Sequence, residues 1–395
     1  MAEINQSYQI VNSLQAQLFG SSAVAVTDTT GLRALGKQLS ASNLYDKFTG
    51  ALIDRIGKTV VRRLKSKLNY PALMKSTFEF GVILQKISLD LPDSVENTAW
   101  NIADPAFTPT LLDVTVPVVK VIYFKGQSTF SVRVTIPDKP MLTTAFDSAE
   151  AMGAFVDAIT DTMEKSMVEK INAVASAAVC SLFAEKADIS SASVINVLTL
   201  YNAGHTPTLT ADEAKESPEF QRWLAYEAGN IISYMDTPSI LYNEQFPDGT
   251  KVARRTARED MHIWVNSQIA NASKVFMQAD TFWRDLASLA GDKYVEVKMW
   301  QGSGTSPMPT FADTSSIHVV TESGDDVQMD YVIAAFVDKE AVGVCKYDIE
   351  TASFRNPIEK YTNFSTTADL MYAVDLTENA VILTLADPVI TPPSP

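Results

Sequence analysis

The longest hydrophobic periodicity in the chain runs through Met152, Val156, Ile159, Met163, Met167, Ile171 and Val174, with steps of three or four residues. Asp157, Asp161, Glu164, Lys165, Glu169 and Lys170 occupy positions between them. One apolar stripe against a charged face predicts a single long amphipathic helix from Asp147 to about Ala184. Asp147 and Glu150 read as its cap and capping-box partner. The methionines on the stripe read as core packing rather than as a partner groove.

Upstream the period changes to two. Ile87, Leu89 and Leu91 alternate with Ser88 and Asp90, and Phe130, Val132, Val134 and Ile136 alternate with Ser131, Arg133 and Thr135. Such alternation predicts strands with one apolar face. Turn signals lie between them at Asp104-Pro105 to Pro109 and at Lys125-Gly126. A two- or three-stranded excursion over residues 77–142 cannot cover that face by itself, and its edges invite pairing. Those seven apolar residues are therefore candidates for contact with neighbouring subunits. Residues 1–76 hold only a short amphipathic piece (Ile10, Val11, Leu14, Leu18) and mixed apolar spacing from Phe48 to Leu64. That is too little for a core, so the segment reads as an arm lying on something else.

Downstream the pattern is mixed. Ser217-Pro218-Glu219 opens a helix carrying Phe220, Trp223, Leu224, Ala228 and Ile231, which stops before Thr237-Pro238. Ile240–Tyr242, His262–Val265 and Tyr294–Trp300 read as strands, with a helix from Ser267 to about Met277. From Val332 the signal is again β, over Val332–Val337, Ala341–Tyr347 and Ala380–Leu385. Residues 388–395 contain four prolines and read as a frayed tail. The fold class is α+β.

Charge is unevenly spread. Ten Lys and Arg stand against four Asp and Glu up to Ser76, a net of +6 within a formal total of −15, so the remainder carries −21. An acidic body argues against a broad phosphate-neutralising surface. The cluster Arg55, Lys58, Arg62, Arg63, Lys65 and Lys67 is read first as a solvated or acid-paired face, with local contact to nucleic acid as the alternative, and Arg62, Arg63, Lys65 and Lys67 are candidates for contact between subunits. Cys180 and Cys345 are read as buried free thiols rather than a disulfide, which suits a reducing cytoplasm. The first residues lack a basic stretch followed by an apolar one, so no signal peptide is expected. No apolar run reads as long enough for a bilayer crossing, and no membrane association is expected.

Catalytic patterns are sparse. With only His205, His262 and His318 and no close cluster of ligand-type residues, no metal or cofactor is expected. Gly302-Ser303-Gly304 lacks the rest of a dinucleotide fingerprint, and no nucleophile elbow occurs. Gly324-Asp325-Asp326 superficially resembles a magnesium-binding aspartate pair, but its flanks, His318-Val319-Val320 and Met329-Asp330-Tyr331, suit a hairpin turn.

The order of elements (basic arm, β excursion, long helix, α/β region, return strands) resembles the HK97-type major capsid fold. Local sequence resembles the major capsid proteins of phi29-like short-tailed phages. The matching stretches are Phe48-Thr-Gly-Ala-Leu-Ile-Asp-Arg-Ile-Gly-Lys-Thr-Val-Val-Arg62, Thr144-Ala145-Phe146, Arg258-Glu-Asp-Met-His-Ile263, Phe336-Val-Asp-Lys339 and Phe354-Arg-Asn-Pro357. The resemblance implies an N-terminal arm (1–76), an extended loop (77–142), a peripheral domain (143–189 and 332–387) built on a spine helix, an axial domain (190–331) and a C-terminal tail (388–395). It implies a structural subunit that is not an enzyme: a homo-oligomer of hexamers and pentamers closing a shell around double-stranded DNA, made in the bacterial host cytoplasm and resident in the virion. Scaffolding and portal proteins are implied partners. Some relatives continue into an immunoglobulin-like domain, which is not expected here. Some capsids of this fold join a loop lysine to an asparagine. Lys125, Asn356 and Glu359 are the candidates for that reaction, and no such cross-link is expected. The alternatives are an encapsulin-type nanocompartment and, from another class, a monomeric hydrolase or transferase.

Overall fold

The computed structural model describes residues 69–75, 84–89, 119–124, 126–137, 149–189, 192–246, 249, 251–275, 293–301, 308–356, 358 and 361–393, with Asn12, Thr30, Gly31 and Ala34. The chain divides into two compact units.

The first unit takes residues 1–79, 127–175 and 344–371. Its four-stranded sheet has the order β1 (Met74–Lys75), β11 (Val342–Asn356), β12 (Tyr361–Val374), β4 (Gly126–Pro137). β1 lies parallel to β11, with Met74 opposite Val344 and Lys75 opposite Cys345. The long helix α1 (Ala149–Ile189) is one continuous element, five residues longer at its end than the periodicity suggested. Its stripe is buried as expected at Met163, Met167 and Ile171, while Lys165, Glu169 and Lys170 are exposed. Asp147 lies outside the described residues. The Asn69 backbone N–H donates to Asn172 Oδ1 at 2.9 Å, tying the short turn before β1 to the helix.

The second unit takes residues 80–126, 176–343 and 372–395. Its five-stranded sheet has the order β5 (Val194–Asn196), β13 (Ala380–Thr384), β10 (Val332–Asp338), β6 (Met261–Asn266), β7 (Tyr294–Val297). Every residue of β6, β10 and β13 is buried, because both faces of the sheet are covered. One face packs with α2 (Val197–Gly204), α4 (Pro218–Met235) and α5 (Ser267–Val275) through Tyr201, Phe220, Leu224, Ile263, Phe336 and Leu383. On the other, Phe183 from the end of α1 meets Trp264 at 6.1 Å and Trp300, edge-on, at 5.3 Å between ring centroids. α4 starts as its sequence requires: Ser217 Oγ accepts from the Phe220 N–H at 3.3 Å, with Pro at the first turn. A smaller three-stranded sheet has the order β14 (Val389–Thr391), β9 (Asp326–Met329), β8 (Ile317–Val320).

Several expectations need correction. The segment 332–387, expected as one group, is shared: β10 and β13 lie in the five-stranded sheet, β11 and β12 largely in the other unit. Ile240–Tyr242 is not a strand. One isolated bridge, Ser239 to Arg254, precedes it, and Ile240 and Leu241 are about half exposed. The Tyr242 carbonyl instead accepts from Ala380 N–H and from Lys186. Residues 388–395 are not wholly frayed, since Val389–Thr391 pairs antiparallel with β9. The stretch Lys165–Ile189 is long and apolar enough to cross a membrane by length and composition, contrary to expectation, and 56% of its most apolar window is buried inside the protein. Its hydrophobicity serves the core.

Candidate assembly surfaces

β2 (Leu84–Leu89) and β3 (Val119–Phe124) form an antiparallel two-stranded sheet of their own. Their register sets Leu84 opposite Phe124, Ile87 opposite Val121 and Leu89 opposite Val119. Facing residues share a side and neighbours alternate. Gln85, Ile87 and Leu89 therefore share one side of the ribbon with Tyr123, Val121 and Val119. The other side takes Leu84, Lys86 and Ser88 with Phe124, Ile122 and Lys120. Five of the six residues on the first side are apolar. A hairpin of two strands is marginal unless that side is covered. The sequence reading found Ile87 and Leu89 but missed Val119, Val121 and Tyr123, because Val116-Pro-Val-Val-Lys-Val-Ile-Tyr-Phe124 is too continuously apolar to show a period. Leu91 lies outside the described residues.

The second half of the expected excursion is placed differently. β4 is the edge strand beside β12 in the four-stranded sheet. Its alternation is real: Val132 is 8% exposed, Phe130 and Val134 are half-buried, and Ser131, Arg133 and Thr135 are exposed. Thr135 Oγ1 donates to Asn363 Oδ1 at 2.6 Å across the outer face. The chain thus covers Val132 itself, which corrects the premise that this face was left open. Ile136 lies in β4. Arg62, Arg63, Lys65 and Lys67 lie outside the described residues.

Other apolar side chains are exposed on the second unit. Tyr226 and Tyr234 project from α4, and Ile240 and Leu241 follow it. Val320 and Val389 share the outer side of the three-stranded sheet with the imidazole of His318, whose Nε2 lies 2.6 Å from Asp326 Oδ1. The free edge of β8 is closed locally by one amide. His318 N–H donates to Gln301 Oε1 at 2.6 Å, and Gln301 Nε2 donates to the His318 carbonyl at 2.7 Å. A glutamine side chain here takes the place of a pairing strand.

These surfaces rest on a buried polar support. Lys186, in the last turn of α1, is fully buried and donates to the carbonyls of Tyr242 (3.1 Å), Leu376 (2.8 Å) and Glu378 (3.2 Å). Burial lowers its pKa to about 8, against the opposing pull of Glu244, Asp375 and Glu378. Asp338 at the end of β10 accepts from Thr256 Oγ1 at 2.6 Å, and Asn379 Nδ2 donates to the same hydroxyl at 3.2 Å. No sequence pattern flagged these residues, since a lone lysine in a helix reads as surface.

Gly324, Asp325 and Asp326 lie at the β8–β9 hairpin, with Gly324 at φ +93° and Val320 opposite Asp326. Among the described residues no group of three or more His, Cys, Asp or Glu side chains could hold a metal. A groove of about 770 Å³ holds Asp313 and Asp330. The first is engaged in the cap of α6 (Phe311–Ser315) and the second accepts from Gln328 Nε2 at 3.0 Å. Cys180 and Cys345 are buried and not joined in a disulfide.

No curated protein sequence matches the chain. Among solved structures it is similar to a chain in the capsid structure of Staphylococcus phage Andhra, with 12% identity, a TM-score of 0.51, and 80% of this chain and 83% of that one covered. It is also similar to a chain in the structure of the head fiber and inner core protein gp22 of native bacteriophage P68, with 12% identity, a TM-score of 0.50, and 81% and 85% covered. The fold is therefore that of HK97-type capsid subunits, and the nanocompartment and monomeric-enzyme alternatives gain no support. The model of the phi29-like phage major capsid protein family matches residues 9–384, and the chain belongs to that family of shell-forming phage proteins.

Proposed function

We propose that this shell subunit assembles as hexamers and pentamers around double-stranded DNA, with the β2–β3 ribbon docking its apolar side on a neighbouring copy. The observation that carries the reading is the register that gathers Ile87, Leu89, Val119, Val121 and Tyr123 on one side of a ribbon that has no third strand among the described residues. Covering such a side completes a fold that one copy leaves open. The first unit serves as the peripheral domain, and the helical five-stranded unit, apart from the ribbon, as the axial domain. The subunit's work is done by surfaces, without catalysis. An acidic body, at −15 for the whole chain, suits a container that must release its genome. Scaffolding and portal proteins are its assembly partners in the host cytoplasm.

The test is a charge on the ribbon's apolar side. Ile87→Lys and Val121→Lys should leave a folded subunit while abolishing particles in sedimentation and negative-stain images. Particles in normal yield from both variants would sink the ribbon as a docking element.

A further inference from the structure

We infer that copies of the chain join head to tail within each ring, the outer face of the three-stranded sheet of one copy docking on the basic strip at the end of α4 in the next. The inference rests on the assembly into hexamers and pentamers proposed above. Both surfaces belong to the second unit.

The sheet face is set by its register. His318, Gln328 and Val389 form one row across β8, β9 and β14, and Val320, Asp326 and Thr391 form the next. Facing residues share a side, while Val327 and Met329, on the opposite side, are buried. Val320 and Val389 are each more than half exposed. Residues 317–330 and 385–395, which build this sheet, carry five Asp and Glu and no Lys or Arg.

The strip has the opposite sign. Lys251-Val-Ala-Arg-Arg-Thr-Ala-Arg258 holds four basic side chains and no acid. Arg254 faces Glu378 at 3.4 Å and Lys251 faces Glu244 at 3.7 Å, so both are answered inside the unit. Arg255 stays exposed while sharing Asp236 at 3.0 Å, and exposed Arg258 donates to Ser233 Oγ at 3.1 Å. The Ser239–Arg254 bridge brings Ile240 and Leu241 alongside, and Ser233 brings its neighbour Tyr234. All three apolar side chains are more than half exposed. Tyrosine and arginine around a small apolar centre is the composition of a protein interface.

The two surfaces are fixed to opposite ends of one buried sheet. The three-stranded sheet leads into β10 at Val332 and follows β13 at Thr384, and those two residues face each other. The strip is fastened at the other end, where Thr256 donates its N–H to the Met235 carbonyl at 2.8 Å and its hydroxyl to Asp338 at 2.6 Å. The seven residues of β10 hold those ends about 20 Å apart. Each face carries charge of one sign, so neither pairs with itself across a two-fold axis. They complement one another instead, and contact between unlike faces at opposite ends builds a ring wherever the rotation per copy closes. A joint of few apolar groups and long arginine side chains also accepts the ~12° by which that rotation differs between five and six copies.

The experiment uses the full chain and reads particle yield by sedimentation. Arg255→Glu with Arg258→Glu, or Asp326→Arg with Gln328→Arg, sets like charges across the joint, and each pair should cut the yield about tenfold or more. All four changes in one chain restore complementarity and should bring the yield back to within about twofold of wild type. Val320→Cys with Leu241→Cys, assembled and treated with a short bis-maleimide, should give a ladder of covalent oligomers ending at five and six copies, and neither single variant should. Yield indifferent to both reversals, no recovery in a fourfold variant that melts like wild type, or an assembled double-cysteine variant without the ladder would each overturn the assignment. So would empty shells in normal yield from the arginine variant with a failure confined to DNA packaging, which would give the strip to nucleic acid. Wild-type rings of any other number of copies would defeat the hexamer and pentamer reading instead, and the presence of the ladder would still decide the joint.

Discussion

The ammonium of Lys186 donates to the carbonyl of Leu376 at 2.8 Å, across 190 residues of sequence, with no exposure to solvent. The bond fastens the last turn of α1 to the loop that leads into β13. All three ammonium protons find carbonyls there, on Tyr242, Leu376 and Glu378. A lysine is also favoured near a helix C-terminus, where the last carbonyls carry partial negative charge. The residue is a structural pin of the second unit.

Its removal should be expensive and its titration visible. Lys186→Met removes one donor from each of three carbonyls, of which Tyr242 and Leu376 keep the backbone N–H groups of Ala380 and Glu244, so we expect a loss of about 1–3 kcal/mol in denaturant unfolding at pH 7. The pH dependence has the opposite sense from a surface ion pair. Burial lowers the folded pKa from 10.5 to about 8, so between those values the unfolded chain holds the extra proton. Stability from this group therefore rises with pH across that window, by ~3 kcal/mol, and is lost as pH falls through about 8. A wild-type slope in that window that Lys186→Met leaves unchanged would contradict the assignment.

Trp300 gathers a second cluster around the same helix. Cys180 Sγ donates to its carbonyl at 3.3 Å, its indole Nε1 donates to the Val332 carbonyl at 2.8 Å, and Phe183 meets its ring edge-on. Burial pushes the Cys180 thiol up to about 12, so no thiolate is available near neutrality. Native subunits should resist iodoacetamide at Cys180 at pH 8 and label only after unfolding. Phe183→Ala, at a fully buried position, should cost about 3–5 kcal/mol and make the thiol reactive under native conditions. Rapid labelling of the wild-type protein would show that this core is not closed.

How much of this was legible in the sequence depended on whether burial left a period. α1 and α4 bury one stripe, and their 3.6-residue signal gave both. β6, β10 and β13 are buried on both faces, and continuous apolar runs such as Val332–Val337 betrayed them. β12 escaped the residue reading because its buried positions include Thr366 and Ala368, which contrast little with Thr367 and Asp369 between them. Ile240–Tyr242 looked like a strand because it is apolar, yet its backbone is committed to single bonds with distant partners. Of the candidate contact residues, the alternation located Ile87 and Leu89, whereas their ribbon partners appear only once the register is known. Lys186 could not be read at all, since what buries it lies at residues 242 and 376–378.

The basic cluster of the arm yields a prediction from charge alone. Arg62, Arg63, Lys65 and Lys67 sit in a segment of net +6 on a chain of −15, so acidic surfaces, on this chain or on neighbouring copies, are an abundant counter-charge for them. Changing all four to glutamine should impair formation of empty shells in the absence of DNA, and raised salt should impair the wild-type shell in the same direction. Normal empty shells with a failure confined to packaging would assign the cluster to nucleic acid.

The shell should carry no covalent cross-links. An isopeptide bond between a lysine and an asparagine requires a neutral amine to attack the asparagine amide carbon, ammonia to leave, and a carboxylate placed to take the amine proton. Asn356 is engaged otherwise: its Oδ1 accepts from the Ile358 N–H at 3.1 Å, closing a turn over residue 357, and its Nδ2 donates to Tyr361 Oη at 3.1 Å. That is the ordinary use of asparagine before proline, where the side chain mimics a turn of backbone. Ile358, beside it, is 88% exposed, so this turn is open to water rather than closed around an attacking amine. Lys125 and Glu359, the other two candidates, lie outside the described residues. An ammonium in water keeps its proton near pH 7 and cannot attack. Particles boiled in detergent should therefore run as one band of 43.2 kDa on a denaturing gel. A ladder of covalent multimers would show that assembly pulls Asn356 out of its turn and into a dry pocket.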